Sequence, residues 1–310
     1  MKKFLKNTLS FLTLLVICEL LIIHLPTPNS LKNSLYFAKL DKDSLLQTSK
    51  GPRIILVGGS NLTFGLNSKL IKDSLKINPI NTGMHANHGL IYMMDEVIKF
   101  IKKGDLVILV PEYGNFYENN AWGSGYELLV TTLEVNNEYL KLRPKQLIST
   151  LKYLPQYTRA KINPRNYLAK VDTNDIYSRK SFNQFGDAKN HWEMDRVPGS
   201  YISYDSGSNF NGEIISEILK FSIKLNELGA TLLFSFPCTQ EAAAGSINPD
   251  IKEVEAQIKK TGLNILGTPR TFMFPDSLMF NSTYHLTKRG ADLRTLKLIR
   301  LLKPFLIRNQ

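Results

Sequence analysis

Three short apolar runs set the frame of this 310-residue chain: IILV (54–57), LVILV (106–110) and LLFSF (232–236). Each breaks off in glycine or proline. Runs this short and this apolar suit strands buried on both faces, as in parallel sheets. Between them the apolar residues fall at helical spacing. Leu70, Ile71 and Leu75 mark NSKLIKDSLK, Gly104 closes IYMMDEVIKFIKKG, and Gly229 closes GEIISEILKFSIKLNELGA. INPIN predicts a short strand ending at Asn81. DIKEVEAQIKKTGLNIL predicts a helix and another strand, and TKRGADLRTLKLIRLLKPFLI a final basic amphipathic helix with a solvated charged face. Strands alternating with helices predict an α/β fold, a mostly parallel sheet covered on both faces. Its site belongs beyond the carboxyl ends of the strands, where Ser60, Gly83, the PEYGNF segment and Cys238 fall. Residues 26–50 read as a stalk or short helix. Residues 121–208 break the alternation and read as an insertion packed over the site, within one main domain spanning 31–310.

The first 30 residues read as an address. Lys2, Lys3 and Lys6 precede an apolar segment from about residue 9 to 25, at the lower limit for crossing a bilayer. Basic residues before it and none acidic predict a cytoplasmic N-terminus, a single-pass anchor in the cytoplasmic membrane and a body facing outward. A cleavable signal peptide is the rival reading, although PTPNS offers no small-x-small cleavage site.

The formal net charge is +12, and setting aside Lys2, Lys3, Lys6 and Glu19 still leaves +10. The basic residues are scattered and form no nucleic-acid module, so nucleic acid is not an expected partner. An anionic membrane surface or polysaccharide fits better. Gly58-Gly59 lacks the Lys-Ser/Thr of a P-loop and the spacing of a dinucleotide fingerprint, so no nucleotide cofactor is implied. Cys18 and Cys238 imply neither a disulfide framework nor a zinc site. Asp187 and His191, four apart, lack a third metal ligand in the sequence.

Ser60 opens a helix after a strand and two glycines, which admits two readings. It can cap the helix, as serine commonly does. It can also be a nucleophile, which requires a base because a serine hydroxyl is weakly nucleophilic at neutral pH. His285, in the loop entering the last helix, is the leading base among the five histidines. His85 and His88 flank the second strand's loop, where they line a pocket or hold structure.

VGGSNLTFG, NTGMHANHG, VILVPEYGNF and NSTYHLTKRG occur in the order of the SGNH (GDSL-like) hydrolases. The chain resembles that superfamily from about residue 53 to 300, and most of all its membrane-anchored branch. That branch acts in cell-envelope acylation, beside the alginate-acetylation and D-alanyl-lipoteichoic-acid proteins. The resemblance implies a flavodoxin-like three-layer doubly wound sheet and acyl-ester chemistry. It implies Ser60 as nucleophile, His285 as general base, and Gly83 with the Ser60 N–H as oxyanion donors. Asn115 is the nearest asparagine to the third motif's donor. Asn61, Glu112, Tyr113 and His85 are the implied substrate-side polar groups. The usual acid before the histidine is absent: Asn281 and Ser282 fill that window, and Asp276 comes too early. Asn281 then orients His285 through its amide oxygen, or a backbone carbonyl does so, or the site binds without catalysing. The implied acceptor is water or an envelope polysaccharide, with a membrane-bound O-acyltransferase as partner and no cofactor. The alternatives are a non-catalytic envelope-binding subunit and a secreted carbohydrate esterase.

Overall fold

A computed structural model describes residues 1–123, 125–170, 172, 175–197, 209–244 and 248–308. Five strands form one sheet: β1 (Arg53–Gly58), β2 (Asn78–Asn81), β3 (Leu106–Val110), β4 (Thr231–Ser235) and β5 (Asn264–Leu266). Their order is β2-β1-β3-β4-β5, and every neighbouring pair is parallel. The fold is therefore α/β, as the apolar runs predict.

The principal helices are α1 (Lys2–Ile23), α2 (Ala38–Thr48), α3 (Ser60–Thr63), α4 (Ser68–Leu75), α5 (Leu90–Val97), α6 (Pro144–Leu151), α7 (Leu154–Ile162), α8 (Pro164–Leu168), α9 (Glu213–Glu227), α10 (Pro249–Lys259) and α11 (Lys288–Arg308). Alternation along each strand divides the core between two faces. Ile55, Val57, Val107 and Leu109 pack with Ile91 of α5, Ile218 of α9 and Val254 of α10. Ile54, Leu56, Ile108 and Val110 pack with Ile71 of α4 and Leu298, Ile299 and Leu302 of α11. Residues 54–57 are wholly buried, and burying a side chain of this kind is worth about 1.5–3 kcal/mol.

Three expectations change. Of the two readings of residues 26–50 the short helix holds and the stalk does not: Lys39, Lys42 and Leu46 of α2 are buried against the body. The helix expected to run to Gly104 stops at Val97 and tightens into a 3-10 turn, Ile98–Phe100. Gly104, at φ +86°, instead turns the chain into β3. Gly229 does end α9 as expected, at φ +74°.

The region 121–208 is mostly helical and irregular as far as it is described; its end, 198–208, lies outside the described residues. One part is built into the sheet's upper edge. Asn81 N donates to Phe185 O at 2.8 Å, and Ala188 N to Thr63 O at 2.9 Å. Asp187, fully buried, accepts from Ser68 N, Ser68 Oγ and Asn81 Nδ2. Lys42 pins the same junction, its Nζ donating to Asn81 O, Gly83 O and Gly186 O at 2.7–3.0 Å. Burial pulls the Lys42 ammonium down to about 7, and Asp187 works against that fall.

Helix α1 is apolar and long enough to cross a membrane, with mean hydropathy 1.8. Most of it stands clear of the body. Its last turn does not: Glu19 accepts a 2.6 Å hydrogen bond from Thr158, and Ile23 packs on a small core that includes Leu31, Val130 and Tyr157.

Candidate active site

The site forms where β1, β3 and the loop before α11 converge. β1 ends at Gly58, where nothing larger fits beside the β3 backbone, and Gly59 follows it against the Glu112 side chain. A Cβ on Gly58 would sit 2.4 Å from Val110 O, and one on Gly59 would sit 2.6 Å from Glu112 Oε1. The paired glycines thus let the end of β3 close on the serine turn, and no phosphate-binding role is needed to explain them.

Gly59, not Ser60, is the N-cap of α3, and the Ser60 side chain makes no cap bond to it. The capping reading of Ser60 therefore fails: Ser60 is the first helical residue, with its hydroxyl turned across the turn. Its Oγ donates to Glu112 Oε1 at 3.1 Å. The same oxygen accepts from Asn61 N at 3.0 Å. Asn61 Nδ2 donates to Val110 O at 3.2 Å and lies 3.5 Å from Glu112 Oε1. Among the described residues the Ser60 N–H makes no hydrogen bond.

Below Asn61 lies a residue that sequence reasoning misplaced. Arg294 of α11 is not on a solvated face; it is 3% exposed. Its Nη1 donates to Asn61 O at 2.5 Å, and its Nη2 to Asn61 Oδ1 at 2.9 Å. Nη1 also lies 3.3 Å from Cys238 Sγ. Desolvation lowers its pKa, opposed by the charges of Cys238 and Glu112. Cys238 is fully buried, its thiol pushed up to about 11 by desolvation and donating to Tyr284 O at 2.9 Å. A thiol so held is a poor nucleophile.

His285 arrives on a short antiparallel pairing of Met279–Ser282 with His285–Leu286. Its Nδ1 lies 2.7 Å from Asn281 Oδ1. Asn281 Nδ2 donates in turn to the Tyr177 hydroxyl at 3.1 Å. With the amide oxygen on the histidine side, Nδ1 carries the proton and Nε2 the lone pair. Burial pulls the His285 pKa down to about 3, and the fields of His191 and His85 push the same way, so the ring is neutral at neutral pH. Its face packs on Phe64 at 4.5 Å between centroids, and Phe64 N bonds to Ser60 O one turn after the serine. Among the described residues, Ser60 Oγ bonds to Glu112 and not to His285. Ser282 accepts from Tyr284 N, while Asp276 pairs with Arg196 and Gln240.

The remaining site residues divide. Asn115 Oδ1 accepts from Glu112 N at 3.0 Å, and its Nδ2 makes no hydrogen bond among the described residues. Gly83 N is engaged by Asn81 Oδ1 at 2.9 Å, and Gly83 packs tightly on α3, where a Cβ would meet Leu62 and Thr63. Tyr113 is buried, and its N–H donates to the Tyr284 hydroxyl, tying the β3 loop to the His285 loop. His85 is partly exposed and accepts from Asn87 N. His88 is structural: its Nε2 lies 2.8 Å from Thr131 Oγ1, and burial pulls it to about 3. His191 packs between Phe64 and Phe280, with Nε2 3.1 Å from Leu286 O. Among the described residues no group of three or more His, Cys, Asp or Glu stands together as a metal site.

Tyr177 and Arg294 carry no local motif. Arg294 left one signal: it lies on the stripe Ala291, Thr295, Leu298, Leu302 that α11 buries. No protein-family model and no curated protein matches this chain.

Proposed function

We propose that this chain is a membrane-anchored, serine-dependent acyl-ester enzyme of SGNH type, acting outside the cytoplasmic membrane on an envelope polysaccharide or related polymer. The strand order is the one flavodoxin-like doubly wound sheets share, and helices lie on both faces. The observation that carries the reading is the Tyr177–Asn281–His285 relay. In serine proteases an asparagine at the orienting position is damaging because the histidine takes the wrong tautomer, at a cost of about 10⁴ in turnover. In this reading Asn281 keeps its oxygen on His285 Nδ1 and its N–H on the Tyr177 hydroxyl, which holds the productive tautomer.

In this reading Ser60 turns from Glu112 toward His285. Its proton passes to His285 Nε2 as the Oγ–C bond forms at the acyl carbonyl. The Ser60 N–H and Asn115 Nδ2 receive the oxyanion; each such donor is worth about 3–4 kcal/mol. The acyl–oxygen bond then breaks, and His285 returns the proton to the leaving alcohol. Water or a sugar hydroxyl releases the acyl group from Ser60. Gly83 serves as the close contact that seats α3. Asn61, Tyr113 and His85 line the approach, and a membrane-bound O-acyltransferase would supply the acyl donor. The Ser60–Glu112 hydrogen bond favours a second reading, in which Glu112 takes the serine proton.

The test is labelling of the detergent-solubilised full chain by a fluorophosphonate. Labelling is expected in the wild type and absent in Ser60→Ala. His285→Ala abolishing labelling while Glu112→Gln retains it supports the first reading, and the reverse supports the second. No labelling of folded wild type between pH 6 and 9 would leave the non-catalytic binding subunit as the better account.

A further inference from the structure

We propose that the α7–α8 hairpin is a foot that rests on the bilayer and binds the headgroups of anionic phospholipid. The proposal depends on the reading of α1 as a membrane span.

The argument begins with the end of α1. Thr158, midway along α7, bonds to Glu19, and Lys161 Nζ donates to Leu25 O at 2.6 Å. Asn29, just beyond, donates to Tyr167 O of α8. Ile23 is seated in the small core that includes Tyr157. These contacts fix the hairpin beside the last turn of α1. From Glu19 to Ile23 the helix rises about 6 Å, so α7 lies at the depth where the span leaves hydrocarbon. Ending the span at Glu19 does not move α7 away from that boundary, because Glu19 itself touches α7.

The hairpin's surface suits that depth. Tyr157 and Lys161 point into the body, and Lys161 pairs with buried Glu134 at 2.7 Å. The other side of α7 exposes Arg159 and Ile162, and α8 exposes Arg165 and Leu168. Ile162 is 56% exposed and Leu168 81%, two large apolar side chains left in solvent on one hairpin. Apolar residues interleaved with arginines fit an interface, where the former enter the acyl boundary and the latter meet phosphate. Two acids face α7 from its neighbours: Glu134, held by Tyr157 and Lys161 on the body side, and Glu19, held by Thr158. A partner lying outside the membrane would leave the coincidence with the end of α1 unexplained.

The test uses the full chain, with Cys18→Ala, in nanodiscs containing phosphatidylglycerol and phosphatidylcholine. A bimane label is placed at Ile162→Cys, at Leu168→Cys, and at Ile223→Cys, an exposed position on α9. Lipids brominated near the glycerol end are expected to quench the first two labels about twofold and the third not at all. Arg159→Glu with Arg165→Glu is expected to remove the quenching while the protein stays in the disc. A protein that remains anchored yet shows unquenched labels at 162 and 168 overturns the foot alone. A protein that never enters the disc overturns the membrane span, and the foot with it.

Discussion

Both ends of the sheet bury an arginine and a carboxylate, and the two ends treat them differently. At the amino end Arg53 meets Asp105 directly, a bidentate pair with both side chains at most 2% exposed. Arg53 spends its other donors on Leu46 O and Phe100 O, which closes the group on itself. At the carboxyl end Arg294 and Glu112 do not touch. Asn61 stands between them, taking the guanidinium on its two oxygens and giving its two nitrogens to the β3 side. Glu112 is left with capacity to accept a hydroxyl, and Ser60 provides it. The same ingredients make a rivet at one end and a poised acceptor at the other. A fully satisfied pair has nothing to offer a ligand, whereas a relayed one does.

The largest expected effect comes from breaking the closed pair. Asp105→Asn strands a buried guanidinium and is expected to cost about 3–5 kcal/mol of stability. Urea denaturation reads the loss, and the folded fraction should still label at Ser60. The open end should show the opposite profile. Glu112→Gln can still accept from Ser60 and Asn61, so it is expected to keep labelling within about tenfold of the wild type, about 1.4 kcal/mol in barrier, with the urea midpoint little changed. An equal loss of stability at both ends would erase the distinction.

A third change sharpens the open end. Asn281→Asp gives His285 a carboxylate in place of an amide, which stabilises the imidazolium and should raise labelling about tenfold. His285 must be neutral to act as a base, and it is held at about 3. Raising its pKa moves the acid limb of the pH–rate profile upward, so the variant should lose activity at a higher pH than the wild type. An acid limb that does not move would argue against His285 as the base.

Acid should also weaken the fold itself. His88 and His285 are held at about 3 and His191 at about 4, against 6.5 for a free imidazole. Between those values the unfolded chain binds more protons than the folded one, so stability rises with pH. The stabilisation is complete above pH 6.5 and drains away as pH falls toward 3; a urea midpoint unchanged from pH 7 to 5 would contradict it. The smallest effect belongs to an exposed pair at neither end. Lys69→Ala removes an ion pair to Asp73 that is more than half exposed on both sides, and should change stability by less than about 0.5 kcal/mol.

The elements legible in the sequence were those whose residues have one use. Ile54 to Val57 can only be buried, so β1 and the turn after it followed from the run alone. Gly229 could be read because a positive φ leaves few alternatives. Arg294 was misread because guanidinium usually means solvent, and only a partner 233 positions away gives it another role. Lys39 and Lys42 hid α2's docking for the same reason. Tyr177 could not be anticipated, since it reaches Asn281 from 104 positions away. Ser60 and His285 were picked out together, yet no spacing rule could say that the serine's hydrogen bond goes to Glu112.

The Lys42 pin also has a consequence in time. Its ammonium needs the carbonyls of Asn81, Gly83 and Gly186 together. Roughly 100 residues separate the second and third of these, which at ordinary rates of synthesis is about 5–20 s. Through that interval the loop that seats the serine helix waits unfinished, with a buried-to-be lysine still in water. The chain therefore completes its chemistry late in its making, after the hairpin beside the anchor has already been made.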